Sequence, residues 1–203
     1  MLQAVETGQQ RMIDLVGIVL GYFDLAGEAS GTQPVSPVAP MWLVDDLLRA
    51  QAAAMAAKKL RVLNQVPADL VVLANEQRLR RVLGYLIDNA VNFSPDGGEI
   101  AIGGNTETYG TRGVISVRDH GRGIDSEHLP RLFEPFFMVG SHHRDGGFGL
   151  SLATAKLLAS HMGGDIRVRS AGRGQGAEFS VVLPIAGAAV ARPAGDPLQS
   201  PAG

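Results

Sequence analysis

Apolar residues recur near the start of the chain at spacings of three, four and seven: Val5, Met12, Val16, Val19 and Phe23. That is the period of one helix face, and Ile13 and Leu20 add a second stripe, so residues 2–25 predict a helix that needs cover on more than one side. Such a helix either lies on its own domain or pairs in a bundle or dimer. The period then dissolves in GEASGTQPVSPVAP, whose glycine, serine and proline predict a linker and a domain boundary over 27–40. A second helical stretch runs from Met41 to Lys59, strands are predicted at 61–66 and 70–74, and another helix over 76–93. Asn75 stands where its side-chain oxygen can accept from a free amide in the first turn of that helix.

Downstream the period switches to that of strands. Residues 99–108 and 114–118 predict a hairpin across YGTRG, and DIRVRS with AEFSVVLP predicts a second one, with a helix over 149–162 between them. From Ile185 onward IAGAAVARPAGDPLQSPAG has no period and predicts a disordered tail over 185–203. Helices grouped around strands that arrive in hairpins do not give the strict alternation of a doubly wound parallel sheet. The predicted fold is α+β, a two-layer sandwich with helices on one face of a mixed sheet.

A length of 203 residues allows one good core with appendages rather than two cores. The net charge of −2, with basic residues scattered along the chain, leaves no electrostatic footprint for nucleic acid. The absence of cysteine excludes disulfides and thiolate metal sites. Met12 to Leu25, the most apolar segment, carries Asp14 and Asp24 and is too short and polar to span a bilayer; no basic, apolar and cleavage-site succession marks a signal peptide. A cytoplasmic location is the expectation.

Three stretches carry candidate chemistry. On the helix over 76–93, Leu79, Val82, Leu83, Leu86, Ala90 and Val91 form an apolar stripe, bordered by a polar line of Arg78, Arg81, Tyr85, Asn89 and Asn92. An asparagine beside a core stripe is by default a surface amide, but its carbonyl is also a hard neutral oxygen suited to Mg2+ shared with phosphates. VRDHGRGID ends an apolar run with Asp119, whose carboxylate can accept from the exocyclic amine of a purine, while Gly121 and Gly123 let backbone approach a flat base closely; alone the pattern is an ordinary turn. RDGGFGLSLATAKLLA leads Gly146, Gly147 and Gly149 straight into a helix, a place where free amides and the helix dipole can cradle phosphate. Its spacing is neither that of the strand-to-helix loop ending in Gly-Lys-Ser/Thr nor that of a dinucleotide fingerprint.

Taken in order, these motifs resemble the catalytic ATP-binding domain of bacterial sensor histidine kinases, within the gyrase, chaperone, kinase and mismatch-repair ATPase superfamily. LRRVLGYLIDNAVNFSPDGGEI is similar to that family's N box, VRDHGRGID to its first glycine box, RLFEPFF to its phenylalanine box and GGFGLSLA to its second glycine box. The resemblance covers about residues 40–184 and implies a Bergerat-type ATP-binding fold over 41–184, preceded by the second dimerisation-type helix over 1–26. It implies ATP and Mg2+ as cofactors, with Asn89 holding the metal against the triphosphate and Asp119 bonding the adenine amine. Gly121, Gly123, Ile124 and Asn92 would join the nucleotide site, and Gly147, Gly149 and Leu150 would present amides to the phosphates. Phe133 and Phe136 would anchor a lid over about 124–144, within which MVGSHHRDGG has the composition of a segment with few fixed contacts.

Several places depart from the family pattern. Tyr85 stands where the N box usually has a second asparagine, and Asn92 where it usually has a basic residue or histidine. Phe148 and Ser151 replace the usual small hydroxyl residue and glycine of the second glycine box. A hydrolytic ATPase of the gyrase sort would need a glutamate base where Tyr85 sits, and tyrosine cannot act as that base at neutral pH. The sigma-factor-regulating serine kinases share the domain but lack a preceding dimerisation helix. None of His120, His128, His142, His143 and His161 has the context of a phosphoacceptor histidine, so the sequence is expected to begin after its own substrate. The implied activity is γ-phosphoryl transfer to a histidine on a helix in cis upstream or on another chain. The implied partners are that helix, a response regulator or phosphotransfer protein, and a second copy of the chain. The alternative is a nucleotide-binding regulatory or interaction module without turnover.

Overall fold

The computed structural model describes residues 16–17, 19–28, 33–107, 110–139 and 148–185. A helix, α1, covers 16–17 and 19–27; the remainder of the helix predicted over 2–25 lies outside the described residues. So do part of the predicted linker, part of the predicted lid and the tail from 186 onward.

Within the stretch predicted as linker, Ser36–Val38 forms strand β1, paired antiparallel with β3, Val72–Ala74. Val38 is buried by this pairing, and Pro37, lacking an amide hydrogen, is tolerated because β1 is an edge strand. The single helix predicted over 41–59 is two, α2 (Pro40–Ala50) and α3 (Ala52–Ala57), with the break at Gln51. There the amide still donates to the Leu47 carbonyl at 3.1 Å while the side chain reaches the Asp88 carboxylate on α4.

Helix α4, Glu76–Phe93, begins as the sequence predicts: the Asn75 side chain accepts from the Arg78 amide at 3.1 Å. Its whole apolar stripe is buried, and Ile87 joins it. At its other end Lys58 Nζ donates to the carbonyls of Val91, Asn92 and Ser94 at 2.7, 2.9 and 3.0 Å, meeting orphan acceptors at the negative end of the helix dipole.

The main sheet has the order β2 (Arg61–Gln65), β4 (Glu99–Thr106), β5 (Arg112–Asp119), β7 (Ala177–Pro184), β6 (Asp165–Arg169). β2 and β4 run parallel and the other neighbours antiparallel, so the sheet is mixed, with both predicted hairpins present. Ile100, Ile102, Ile115, Val117, Phe179, Val181 and Ile166 point to one buried face, where α4 and α5 (Ser151–His161) lie. This is the α+β two-layer arrangement read from the sequence.

Buried Arg78 links the N-terminal start of α4 to the end of α5 through His161 Nδ1 at 3.2 Å, and pairs with Glu28 just beyond α1. Leu25 is buried beside this tie. The two helices run antiparallel, and the opposite ends from Arg78 and His161 frame the pocket described next. Among the described residues no helix is long and apolar enough to cross a membrane.

Candidate functional site

One pocket gathers the last turns of α4, the end of β5, the start of β7 and the start of α5. Asn89 and Phe93 line it from α4, Asp119 from β5, and Arg122, Gly123 and Ile124 from the turn that follows. Leu132, Phe137, Met138 and Val139 close one side, and Gly149, Ser151, Leu152, Ala177 and Phe179 the other.

Strand alternation brings the carboxylate of Asp119 here. Ile115, Val117 and Asp119 share the inward face of β5, and in register Asp119 faces Ala177 of β7. The strand ends where its third inward residue meets the pocket, so a charged group occupies a core position and is only 5% exposed. Burial pushes its carboxyl above the ordinary carboxylate range; hydrogen bonds from the Gly121 and Ala177 amides and the charge of His120 pull the other way. Oδ1 accepts from the Gly121 amide at 2.8 Å. The group is thus a fixed acceptor whose burial a donor on a ligand would offset.

The glycines that follow serve close approach, but to the protein's own backbone. A Cβ on Gly121 would lie 2.2 Å from the Phe93 carbonyl oxygen, and one on Gly123, at φ 67°, would lie 1.9 Å from that of Gly172. Further bonds lace this turn to the 170–176 loop: the Ile124 amide donates to Ser170 Oγ at 3.0 Å, and the Gly174 amide to the Arg122 carbonyl at 2.6 Å. The floor beneath Asp119 is therefore rigidly built.

Asn89 is half-buried and lines the pocket, whereas Asn92 is exposed and outside it. A step of four residues rotates about 40° on a helix and a step of three about 60° the other way, so Phe93 rather than Asn92 continues the wall that Asn89 begins. Helical spacing alone leaves both residues near Asn89, and the packing of α4 decides between them. Tyr85 is half-buried, with Arg81 Nη2 donating to its hydroxyl at 3.4 Å, and does not line the pocket.

Of the two aromatic residues expected to anchor a lid, Phe133 packs half-buried against the core, with Lys156 Nζ 4.9 Å from its ring centre. Phe136 is corrected: it is 54% exposed at φ 65°, and its amide donates to the Gly149 carbonyl at 2.9 Å. The positive φ turns the chain so that the next side chain, Phe137, faces the pocket, with the Arg131 guanidinium 4.4 Å over its ring. Gly149 lines the pocket at φ 67°; the side chain of Leu150 is in the core, and no side chain caps the first turn of α5. Gly147, Gly146 and residues 140–144 of the expected lid lie outside the described residues.

Sequence reading also missed Arg122, Leu132, Ala177 and Phe179. The last two follow from β7 alternation, since Phe179 pairs with Val117 and Ala177 with Asp119. Arg122 stacks over Phe93, its guanidinium carbon 4.0 Å from the ring centre. Among the described lining residues the titratable groups are Asp119 and Arg122, a carboxylate that accepts and a guanidinium that donates, so these residues offer recognition and charge. The half-buried amide oxygen of Asn89, across from the uncapped first turn of α5, is a donor of the kind Mg2+ accepts when it keeps waters and shares phosphate oxygens.

Comparison with known proteins places this architecture. Residues 74–187 match the family described as histidine kinase-, DNA gyrase B-, and HSP90-like ATPase. The alginate biosynthesis sensor protein KinB of Pseudomonas aeruginosa is 32% identical over 189 residues, 91% of this chain and 30% of its own length. The sensor histidine kinase YkoH of Bacillus subtilis (strain 168) is 39% identical over 103 residues, 50% of this chain and 22% of its own. The chain thus spans a third or less of these relatives. The structure of full-length ShkA in complex with AMPPNP superposes with a TM-score of 0.77 at 29% identity, covering 91% of this chain and 38% of that one. The histidine kinase ThkA in complex with the response regulator TrrA, 22% identical with a TM-score of 0.69 over 88% of this chain and 49% of that one, shares the fold.

Proposed function

The chain belongs to the histidine kinase-, DNA gyrase B-, and HSP90-like ATPase family as the ATP-binding catalytic domain of a sensor histidine kinase, and from that premise we propose that it binds MgATP and passes the γ-phosphoryl group to a histidine on a helix outside this sequence. The observation that carries the reading is the convergence of Asn89 and Asp119, 30 residues apart in sequence, on one pocket. In this reading Asp119 accepts from the adenine amine, with Gly121, Gly123 and Ile124 holding its turn in place. Asn89 contributes its oxygen to Mg2+, and Gly147, Gly149 and Leu150 offer amides to the phosphates. Bound Mg2+ would neutralise the charge that builds on the phosphate oxygens. The protein's part is positioning: an aromatic and aliphatic wall of Phe93, Phe137, Val139 and Phe179 excludes water, and the acceptor histidine is brought to the γ-phosphate by a partner helix. The helix over 1–26 serves as the second dimerisation helix joined through 27–40 to the ATP-binding domain over 41–184, and a response regulator or phosphotransfer protein takes the phosphoryl group onward.

A second reading, a nucleotide-binding module without turnover, rests on Asn92, which carries no charge and is exposed outside the pocket, and on Tyr85, which does not line it. Incubation with γ-labelled MgATP and a chain bearing an acceptor-histidine helix separates the two. Label on that histidine supports transfer; nucleotide binding without label supports the module.

A further inference from the structure

We propose that the hydroxyl of Ser151 positions the phosphates of the bound nucleotide, donating to a phosphate oxygen across from Asn89; this rests on the nucleotide reading of the pocket. Ser151 lines the pocket together with Asn89 and Asp119. Its place there follows from the helix it begins. Ser151, Ala155 and Leu158 recur at steps of four and three and so share one face of α5; Ala155 and Leu158 are buried in the core, whereas Ser151 is exposed. The buried stripe therefore gives out one turn before the helix does, and a hydroxyl stands where core gives way to pocket. The antiparallel pairing of α4 with α5 sets its height. The two helices meet where Arg78 contacts His161. Asn89 lies eleven residues along α4 from that contact and Ser151 ten residues back along α5, so at about 1.5 Å per residue both stand roughly 15 to 17 Å from it, at matching levels of the pair.

The hydroxyl is not consumed by its own helix. Leu150, not Ser151, holds the capping position, no side chain caps the first turn, and among the described residues the Ser151 hydroxyl has no hydrogen-bond partner. The backbone beneath it is fixed. Leu150 is 1% exposed, the Gly149 carbonyl accepts from the Phe136 amide at 2.9 Å, and a Cβ on Gly149 would lie 2.8 Å from the Phe137 carbonyl oxygen. A rotatable hydroxyl beside first-turn amides that lack helical acceptors, at the positive end of a helix dipole, is matched by an anion. Asp119 enters the pocket from the end of β5, where it faces Ala177. One ligand can thus give its donor-bearing base to the sheet side and its phosphates to the helix pair. Glycine, the usual residue of the family pattern at this place, would supply no such donor.

The test is a binding series on the full chain with ATP, ADP and adenosine in the presence of Mg2+, read by calorimetry, for the parent, Ser151→Ala, Ser151→Gly and Ser151→Thr. Losing a hydroxyl that donates to a charged oxygen predicts that Ser151→Ala weakens ATP and ADP by roughly five- to thirtyfold while adenosine stays within about twofold of the parent. Ser151→Gly should lose as much as Ser151→Ala, and Ser151→Thr, which keeps the hydroxyl, should recover most of the affinity. Thermal melting of each variant checks that the domain is folded. Parent-like ATP binding by folded Ser151→Ala, an equal loss for ATP and adenosine, or a threonine variant no better than alanine overturns the proposal while leaving the nucleotide reading intact. A folded parent chain that binds none of the three ligands overturns both.

Discussion

Replacing Asp119 by alanine isolates base recognition from everything else the pocket does. The carboxylate is 5% exposed, so a base amine docking against it would leave water entirely and depend on this acceptor. A hydrogen bond to a charged group contributes about 1.5 to 3 kcal/mol, which converts to a loss of roughly ten- to 150-fold in affinity for an ATP analogue. The same substitution strips the Gly121 amide of its acceptor at 2.8 Å and should lower folding stability by about 1 to 2 kcal/mol, so a urea titration must accompany the binding curve. Asp119→Asn supplies the control. Its amide keeps one oxygen for the Gly121 amide but puts an NH2 donor where the second carboxylate oxygen would meet the base amine, so it should lose affinity while losing less stability than alanine does. Acidity offers an independent readout: because burial raises the Asp119 carboxyl, it takes up its proton at a higher pH than an ordinary carboxylate, and the protonated form no longer accepts fully. Parent affinity should therefore fall with falling pH from an onset above the ordinary 3.8, and the alanine variant should lack that limb. An alanine variant that is folded and binds ATP as the parent does, with the same pH profile, refutes the assignment of Asp119.

Asn89→Ala should remove the Mg2+-dependent part of ATP affinity and leave metal-free binding nearly intact, a difference read by titrating with and without the ion; an equal loss in both conditions would remove the metal role. Gly123→Ala forces a side chain into φ 67° with its Cβ 1.9 Å from the Gly172 carbonyl, and should cost about 2 to 4 kcal/mol in a urea titration; a change under about 0.5 kcal/mol would mean the 121–124 turn is not locked to the 170–176 loop. Arg78→Met leaves buried His161 and half-exposed Glu28 without their shared partner, predicting a loss of about 1 to 3 kcal/mol and faster amide exchange over 19–27; unchanged exchange there would show that the tie does not hold α1.

Much of this molecule is local in origin and therefore readable along the chain. The 3.6-residue period of 76–93 with Asn75 ahead of it is sufficient for α4, because capping and amphipathicity act within a few residues, and the period-two runs after 99 and after 165 are sufficient for both hairpins. The place of Asp119 in VRDHGRGID is readable for the same reason: a carboxylate at a strand end followed by glycines is a local device. The break at Gln51 and the strand at Ser36–Val38 were not readable, since each depends on a partner far away, α4 for one and β3 for the other.

The same division runs through the site. Asp119 was legible because alternation and chain position already place it inward at the end of a strand. That Phe93 rather than Asn92, and Phe137 rather than Phe136, should face the pocket was not, since a rotation of one residue about a helix or turn is decided by which neighbour packs against it. Arg122 is silent in sequence, an ordinary residue between two glycines, and acquires its place only because β5 and the end of α4 bring it over Phe93. Local periodicity and capping thus specify the elements and the kind of chemistry they carry. Contacts between elements distant in sequence decide which side chains share a wall, because packing free energy depends on surfaces that meet only after the chain has closed.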